Sequence, residues 1–165
     1  MIQYVSGDIL LSKAVAIAQG VAPGDHLDHG LALGLREQWP AMAKDYRHWC
    51  HDHNPRPGTI WAWAGADGSR IINLLTQEPA EGSRGGHPGK AKLEHVRHSL
   101  KELGKYLAKE KIESVAIPKL ATGVGGLAWS DVKPMIEDQL GQVGIPVYVY
   151  EEYRAGVAAP ERQTV

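Results

Sequence analysis

The sequence contains no phenylalanine and only one cysteine, Cys50. A lone cysteine excludes an internal disulfide framework and any zinc site built from four cysteines. It fits a reducing compartment, and a cytoplasmic location is expected. Charge of either sign is not in excess: 18 Lys+Arg stand against 19 Asp+Glu, a net charge of −1 over 165 residues. That balance argues against a general nucleic-acid coat, a polybasic membrane anchor or an acidic solvating tail. Long apolar runs are also missing. Ala14 to Ala18 is far too short to cross a bilayer, and Met1 to Asp8 lacks the basic flank of a leader peptide, so no membrane partner is expected. What remains is ordinary globular composition, 43% hydrophobic and 22% charged, with five Trp and six Tyr supplying the aromatic volume. One domain with a real core is expected, as a monomer.

The hydrophobic pattern alternates between strand and helix signals. Ile2 to Val5 reads as a first strand closed by Gly7-Asp8, and Ala14 to Ala18 as a strand buried on both faces. A Gly/Pro/Asp/His loop runs from Gly20 to His29, then helical signals from Gly30 to Trp39 and from Pro40 towards His51. Thr59 to Trp63 and Ile71 to Leu75 form a hairpin through Asp67-Gly68, and Gln77 to Gly89 is a long loop. Leu93, Val96, Leu100, Leu103 and Leu107 mark an amphipathic helix. Ser114 to Ile117 is a buried strand. Ser130 is placed to cap a helix with Pro134 in its first turn, and Ile145 to Tyr150 is the last strand. Arg154 to Val165 has no periodicity and is expected to be a disordered tail, leaving the domain at residues 1–153. The order predicts a mixed sheet with helices on both faces, with ligand sites at the carboxyl ends of its strands.

Gly123-Val124-Gly125-Gly126-Leu127-Ala128 fits G-x-G-x-x-G/A between a strand and a helix. Successive backbone N–H groups there suit a diphosphate, although the same glycines serve equally in a tight turn. A dinucleotide-binding Rossmann domain does not fit, because only some forty residues follow the motif. The segment around Gly85 to Ala91 fails as a P-loop: Arg84 replaces the first glycine and Ala91 the magnesium-binding hydroxyl. No G-x-S-x-G elbow is present. Eight histidines include the crowded His48, His51 and His53 around Cys50, but their spacing matches no zinc motif, so neither a metal nor a cofactor is expected. Asp25, His26, Asp28 and His29 form the densest acid–base set in a loop, which by itself reads more readily as a solvated polar turn.

Several motifs together resemble the macrodomain family, in the branch that holds terminal ADP-ribose protein glycohydrolase, the ALC remodeller macrodomain and the DarG antitoxin. They are Tyr4-Val5-Ser6-Gly7-Asp8-Ile9-Leu10, Gly30-Leu31-Ala32 with Trp39-Pro40, Ile72-Asn73-Leu74-Leu75-Thr76, Lys92 to Val96, and the long Ala116 to Trp129 segment continuing to Ile136. The resemblance spans roughly Ile2 to Glu151. It implies a three-layer α/β/α fold with a central mixed sheet and a pocket for ADP-ribose or an ADP-ribosylated macromolecule. By the same resemblance Asp8 accepts from the adenine amine with the Ile9 N–H beside it, and Tyr150 flanks the adenine. Thr122, Gly123, Val124, Gly125, Gly126 and Leu127 wrap the diphosphate and distal ribose, and Gly30 and Leu31 approach from the other side.

Three positions depart from that pattern. Thr76-Gln77 stands where glycohydrolase-type members carry a lysine, and an amide cannot form the covalent lysine adduct. Gly125 replaces the paired aspartate of the terminal glycohydrolase, and Gln19-Gly20 lacks the asparagine common after the second strand. Three readings follow: a lysine-independent ADP-ribosyl hydrolase using Asp28 or His29 as acid or base, a non-catalytic ADP-ribose reader or scavenger, and a DarG-like enzyme acting on ADP-ribosylated DNA. Nucleic acid enters only as a modified substrate. The hydrolase is preferred narrowly.

Overall fold

The structure is a computed structural model describing residues 1–80 and 86–162. Its central strands feed two cores at once. In β2 (Ala16–Val21), Ala16 and Ala18 enter one core while Ile17 and Val21 enter the other. In β4 (Arg70–Leu75), Ile72 and Leu74 oppose Ile71 and Leu75. The same alternation holds in β7 (Val115–Pro118) and β8 (Val147–Tyr153). A strand buried on both faces is apolar at every position, which explains the unbroken apolar runs in the sequence.

The other elements are β1 (Ile2–Gly7), α1 (Gly30–Gln38), α2 (Pro40–His53), β3 (Ile60–Ala64), β5 (Gln77–Pro79), β6 (Pro88–Ala91), α3 (Leu93–Lys109) and α4 (Trp129–Leu140). The six-stranded sheet has the order β1-β8-β7-β2-β4-β3, parallel throughout except where β3 turns back on β4. Helices α3 and α4 cover one face, through Val96, Leu100 and Leu103 with Val132 and Ile136, and α1 and α2 cover the other, through Leu35, Met42 and Tyr46. The result is the expected three-layer α/β/α arrangement around a mixed sheet. No helix among the described residues is long and apolar enough to cross a membrane.

Four local expectations are corrected. Strand β2 occupies 16–21 rather than 14–18, because its pairing with β4 continues through Gln19 and Gly20 to Val21 opposite Leu75. The expected loop over Gln77 to Gly89 contains the β5–β6 hairpin, in which Gln77 pairs with Ala91; residues 81–85 lie outside the described residues. Helix α4 begins at Trp129, so Ala128 rather than Ser130 holds the cap position and Pro134 falls inside the helix. The fourth concerns residues 154–162, which return to the domain instead of forming a disordered tail. Gly156 N donates to Asp8 Oδ2 (2.9 Å) and Asp8 N to Val157 O (2.7 Å). Glu161 accepts from Ser12 Oγ at 2.6 Å, and Arg162 O from Tyr148 OH at 2.7 Å. Residues 163–165 of the expected tail lie outside the described residues.

Candidate functional site

Two cavities open at the carboxyl ends of the parallel strands, of about 450 and about 350 Å³. Gly30, Leu31, Pro118 and Lys119 line both, so they form one bent cleft with two ends. This size is that of a small-molecule site.

The wall between them is the loop after β7. Ala121 and Gly126 take left-handed φ values of 62° and 78°. The chain curls so that Leu127 N donates to Ala121 O (3.0 Å) and Gly126 N to Gly123 O (3.1 Å), while Thr122 Oγ1 donates to Lys119 O (2.9 Å). Gly123, Val124 and Gly125 line the smaller cavity and Thr122 the larger. A Cβ on Gly125 would stand 2.6 Å from the Ala121 carbonyl oxygen, so this fold of the loop has no room for an aspartate there. Gly126 lies under the Lys90 side chain, and Leu127 packs on the core; neither lines a cavity.

The larger end is apolar, walled by Ile9, Leu10, Tyr150 and Tyr153. Tyr150 is buried and its hydroxyl donates to Glu161 Oε2 at 2.5 Å; burial and then that carboxylate push its pKa well up. Asp8 sits behind this wall and lines neither cavity. Its Oδ1 accepts from Leu10 N at 3.0 Å and its Oδ2 from Gly156 N, so the carboxylate ties the turn after β1 to residues near the carboxyl terminus.

The smaller end holds the acid–base and amide side chains Gln19, Asp25, His29 and Gln77. Gln19 Nε2 donates to Asn73 Oδ1 (2.8 Å), and Gln77 Nε2 to Gly89 O (3.0 Å), which fixes Gln77 against the hairpin. Gln19 Oε1 and Thr76 Oγ1 are buried with no hydrogen-bond partner. Asp25 lines this end; burial raises its pKa, although Oδ2 and Oδ1 accept from Ala22 N and Leu27 N. His29 lines it as well, and Asp28 stands beside it, Oδ1 lying 2.6 Å from His29 Nδ1. That approach is short but not aligned as a hydrogen bond, which leaves Asp28 Oδ1 buried without a donor.

Of the residues singled out in the sequence, Ile9, His29, Gly30, Leu31, Thr122, Gly123, Val124, Gly125 and Tyr150 thus line the cleft, while Asp8, Asp28, Gly126 and Leu127 stand behind it. Lys119, the cation common to both cavities, lies within the Ala116 to Trp129 motif but has no role assigned from the sequence. The crowded α2 histidines do not come together: His53 Nδ1 contacts Trp49 O (3.2 Å), and Cys50 Sγ accepts from Gly24 N (3.4 Å). Burial raises the Cys50 thiol pKa, so it is no poised nucleophile.

Comparison with known proteins agrees with this fold. The chain is 28% identical over 155 residues, 92% of its length, to a DNA ADP-ribosyl glycohydrolase of Thermus aquaticus, of which it covers 41%. The chain therefore spans about two fifths of that curated relative. The solved macrodomain of Thermus aquaticus DarG superposes with a TM-score of 0.80 at 28% identity, covering 92% of this chain and 98% of that one. Thermosipho africanus DarTG, solved in complex with ADP-ribose, shares the fold with a TM-score of 0.81 at 20% identity, over 96% of this chain and 43% of that one. Residues 26–136 match the Macro domain family, two thirds of the chain, and the protein belongs to that family.

Proposed function

We propose that the chain binds ADP-ribose along the bent cleft and hydrolyses its bond to a modified macromolecule without a lysine adduct. The observation that carries this reading is the cleft's polarity: an apolar end walled by Tyr150, a backbone loop with Lys119 at the bend, and an acid–base end at Asp25 and His29. Those three parts match a base, a diphosphate and a reactive ribose. Ile9 and Tyr150 flank the adenine, and Asp8 braces that wall from behind through its bonds to Leu10 N and Gly156 N. Thr122 to Gly125, with Gly30 and Leu31 opposite, enclose the diphosphate and distal ribose, and Gly126 and Leu127 hold that loop in place. Water attacks C1″ and the bond from C1″ to the acceptor oxygen or nitrogen breaks. The leaving group takes the electron pair and one proton, and the attacking water gives a proton to the Asp28–His29 pair. The products are ADP-ribose and the unmodified acceptor. The names of the relatives support ADP-ribosylated DNA as one acceptor. The lone cysteine supports a cytoplasmic location.

A calorimetric titration with ADP-ribose, with ADP and NAD as controls, tests the pocket. Binding in the ~micromolar range, about −8 kcal/mol, is expected; no binding at millimolar ligand would refute the assignment. Release of ADP-ribose from a modified oligonucleotide and a modified acidic peptide tests turnover. Asp28→Ala should lower it at least ~100-fold, and unchanged turnover removes Asp28 from the chemistry. Gln77 in the lysine's place favours a second reading, a non-catalytic reader, which binding without release from either substrate would establish.

A further inference from the structure

Two loops distant in sequence meet beside the smaller end of the cleft. His26 N donates to Gly86 O at 3.1 Å, and a Cβ on Gly86 would stand only 2.6 Å from the His26 ring, so the second loop seats directly on the first. Arg36 Nη1 holds the His26 carbonyl from below at 3.1 Å. This seating delivers His87 edge-on to His29, with ring centroids 6.0 Å apart at 71°. One donor atom each from Asp28, His29 and His87 then lies within 4.8 Å of the others.

We propose that Asp28, His29 and His87 form a binding site for one divalent transition metal ion, zinc by its donor set, beside the distal end of the cleft. Two imidazoles and a carboxylate suit zinc far better than magnesium or calcium, which prefer all-oxygen shells. The dimensions are close to those required, since the edge of a zinc tetrahedron with such ligands is about 3.4 Å. The 2.6 Å approach of Asp28 Oδ1 to His29 Nδ1 opens slightly and the longest separation closes, both within the reach of side-chain rotation. Asp28 Oδ1 is shielded from solvent and meets His29 Nδ1 at 2.6 Å as an ion-pair contact without an aligned hydrogen bond. Such an oxygen is costly unless a cation or donor meets it. Asp25 is not among the donor atoms that converge here, and its two oxygens are turned to the Ala22 and Leu27 N–H groups.

Three protein donors on a four-coordinate ion leave one position for water, the arrangement of catalytic rather than structural zinc. His29 lines the cavity, so that water would stand at its edge. Zinc-bound water ionises near neutral pH and supplies a nucleophile without a lysine. In that case Asp28 and His29 would hold the ion, and the bound water would attack C1″ while its proton passes to the departing acceptor. The use of the ion in hydrolysis rests on the ADP-ribose reading, whereas the binding of the ion does not.

The test is calorimetric titration of the chelator-stripped chain with zinc, repeated with cobalt to read its visible absorption. One equivalent should bind, and His29→Ala and His87→Ala should each weaken binding at least ~10-fold with unchanged melting of the unliganded chain. His53→Ala, on the separate α2 cluster, should leave binding unchanged. Absence of stoichiometric binding, or binding by His87→Ala equal to wild type, would overturn the site. ADP-ribose titrated into metal-free His87→Ala separates the two readings. Zinc binding without ADP-ribose binding removes the proposed function and leaves the site standing; the converse removes the site alone.

Discussion

Gln77 donates its side-chain amide to the carbonyl oxygen of Gly89 at 3.0 Å, joining the first residue of β5 to the second strand of its own hairpin. The amide therefore does a structural task at the position where lysine chemistry is expected of related sequences. A lysine-independent route predicts that the protein gains no mass when incubated with ADP-ribose and cyanoborohydride. A trapped adduct would show that Lys90 or Lys119 has taken over that chemistry, and the site would have to be rebuilt around it. Gln77→Ala should lower stability by about 1 kcal/mol, the worth of that one hydrogen bond, as read from a denaturant melt.

Gly125→Asp tests the loop. A side chain there meets the Ala121 carbonyl oxygen, which is backbone and cannot yield without opening the turn. The variant should lose about 1–3 kcal/mol of stability and bind ADP-ribose at least ~10-fold more weakly. Wild-type affinity in this variant would mean that the loop is not what grips the ligand.

Removal of residues 155–165 should lower stability by about 2–4 kcal/mol, since several hydrogen bonds worth about 0.5–1.5 kcal/mol each disappear. Those to Asp8, Ser12 and Tyr150 are the main losses. Gly7→Ala should act in the same direction, because its Cβ would stand 2.8 Å from Val157 O and from Ala159. Denaturant melts that coincide with wild type would show the segment to be dispensable.

Glu151 gives the pH prediction. The Trp129 indole N–H at 2.9 Å, and then the Lys133 ammonium at 3.1 Å, hold its carboxyl below the usual glutamate range. A depressed carboxyl contributes stability above its unfolded pKa and loses it as the pH falls through the folded one. The melting temperature should therefore drop on acidification from about pH 5 to about pH 3, less steeply in Glu151→Gln. Identical slopes in the two proteins would disprove the linkage.

Much of the fold could be read from the residues because the strands that make it are apolar on both faces and α3 repeats leucine at helical spacing. The glycine loop between β7 and α4 was equally plain. What escaped has physical reasons. Residues 154–162 are held by backbone bonds and by single side chains such as Glu161, which leave no periodic trace. The β5–β6 hairpin contains Pro79, Pro88 and Gly89, residues that propensity assigns to loops. Asp28 and His29 appeared as one polar cluster, but no local spacing could announce His87, which only the seating of one loop on the other brings near.

The apolar end of the cleft is walled by Gly7, Ile9 and Leu10 from the beginning of the domain and by Tyr150 and Tyr153 from its final strand. β1 pairs in parallel with β8, and Asp8 fastens the junction to Gly156. Because the ribosome makes β8 last, this half of the pocket has no counterpart in a nascent chain that already carries the rest of the sheet. Pairings of such wide sequence separation form late in folding. A chain interrupted before Val147 lacks both the Tyr150 and Tyr153 wall and the strand that joins β1 to β7, so the apolar end exists only in the finished domain.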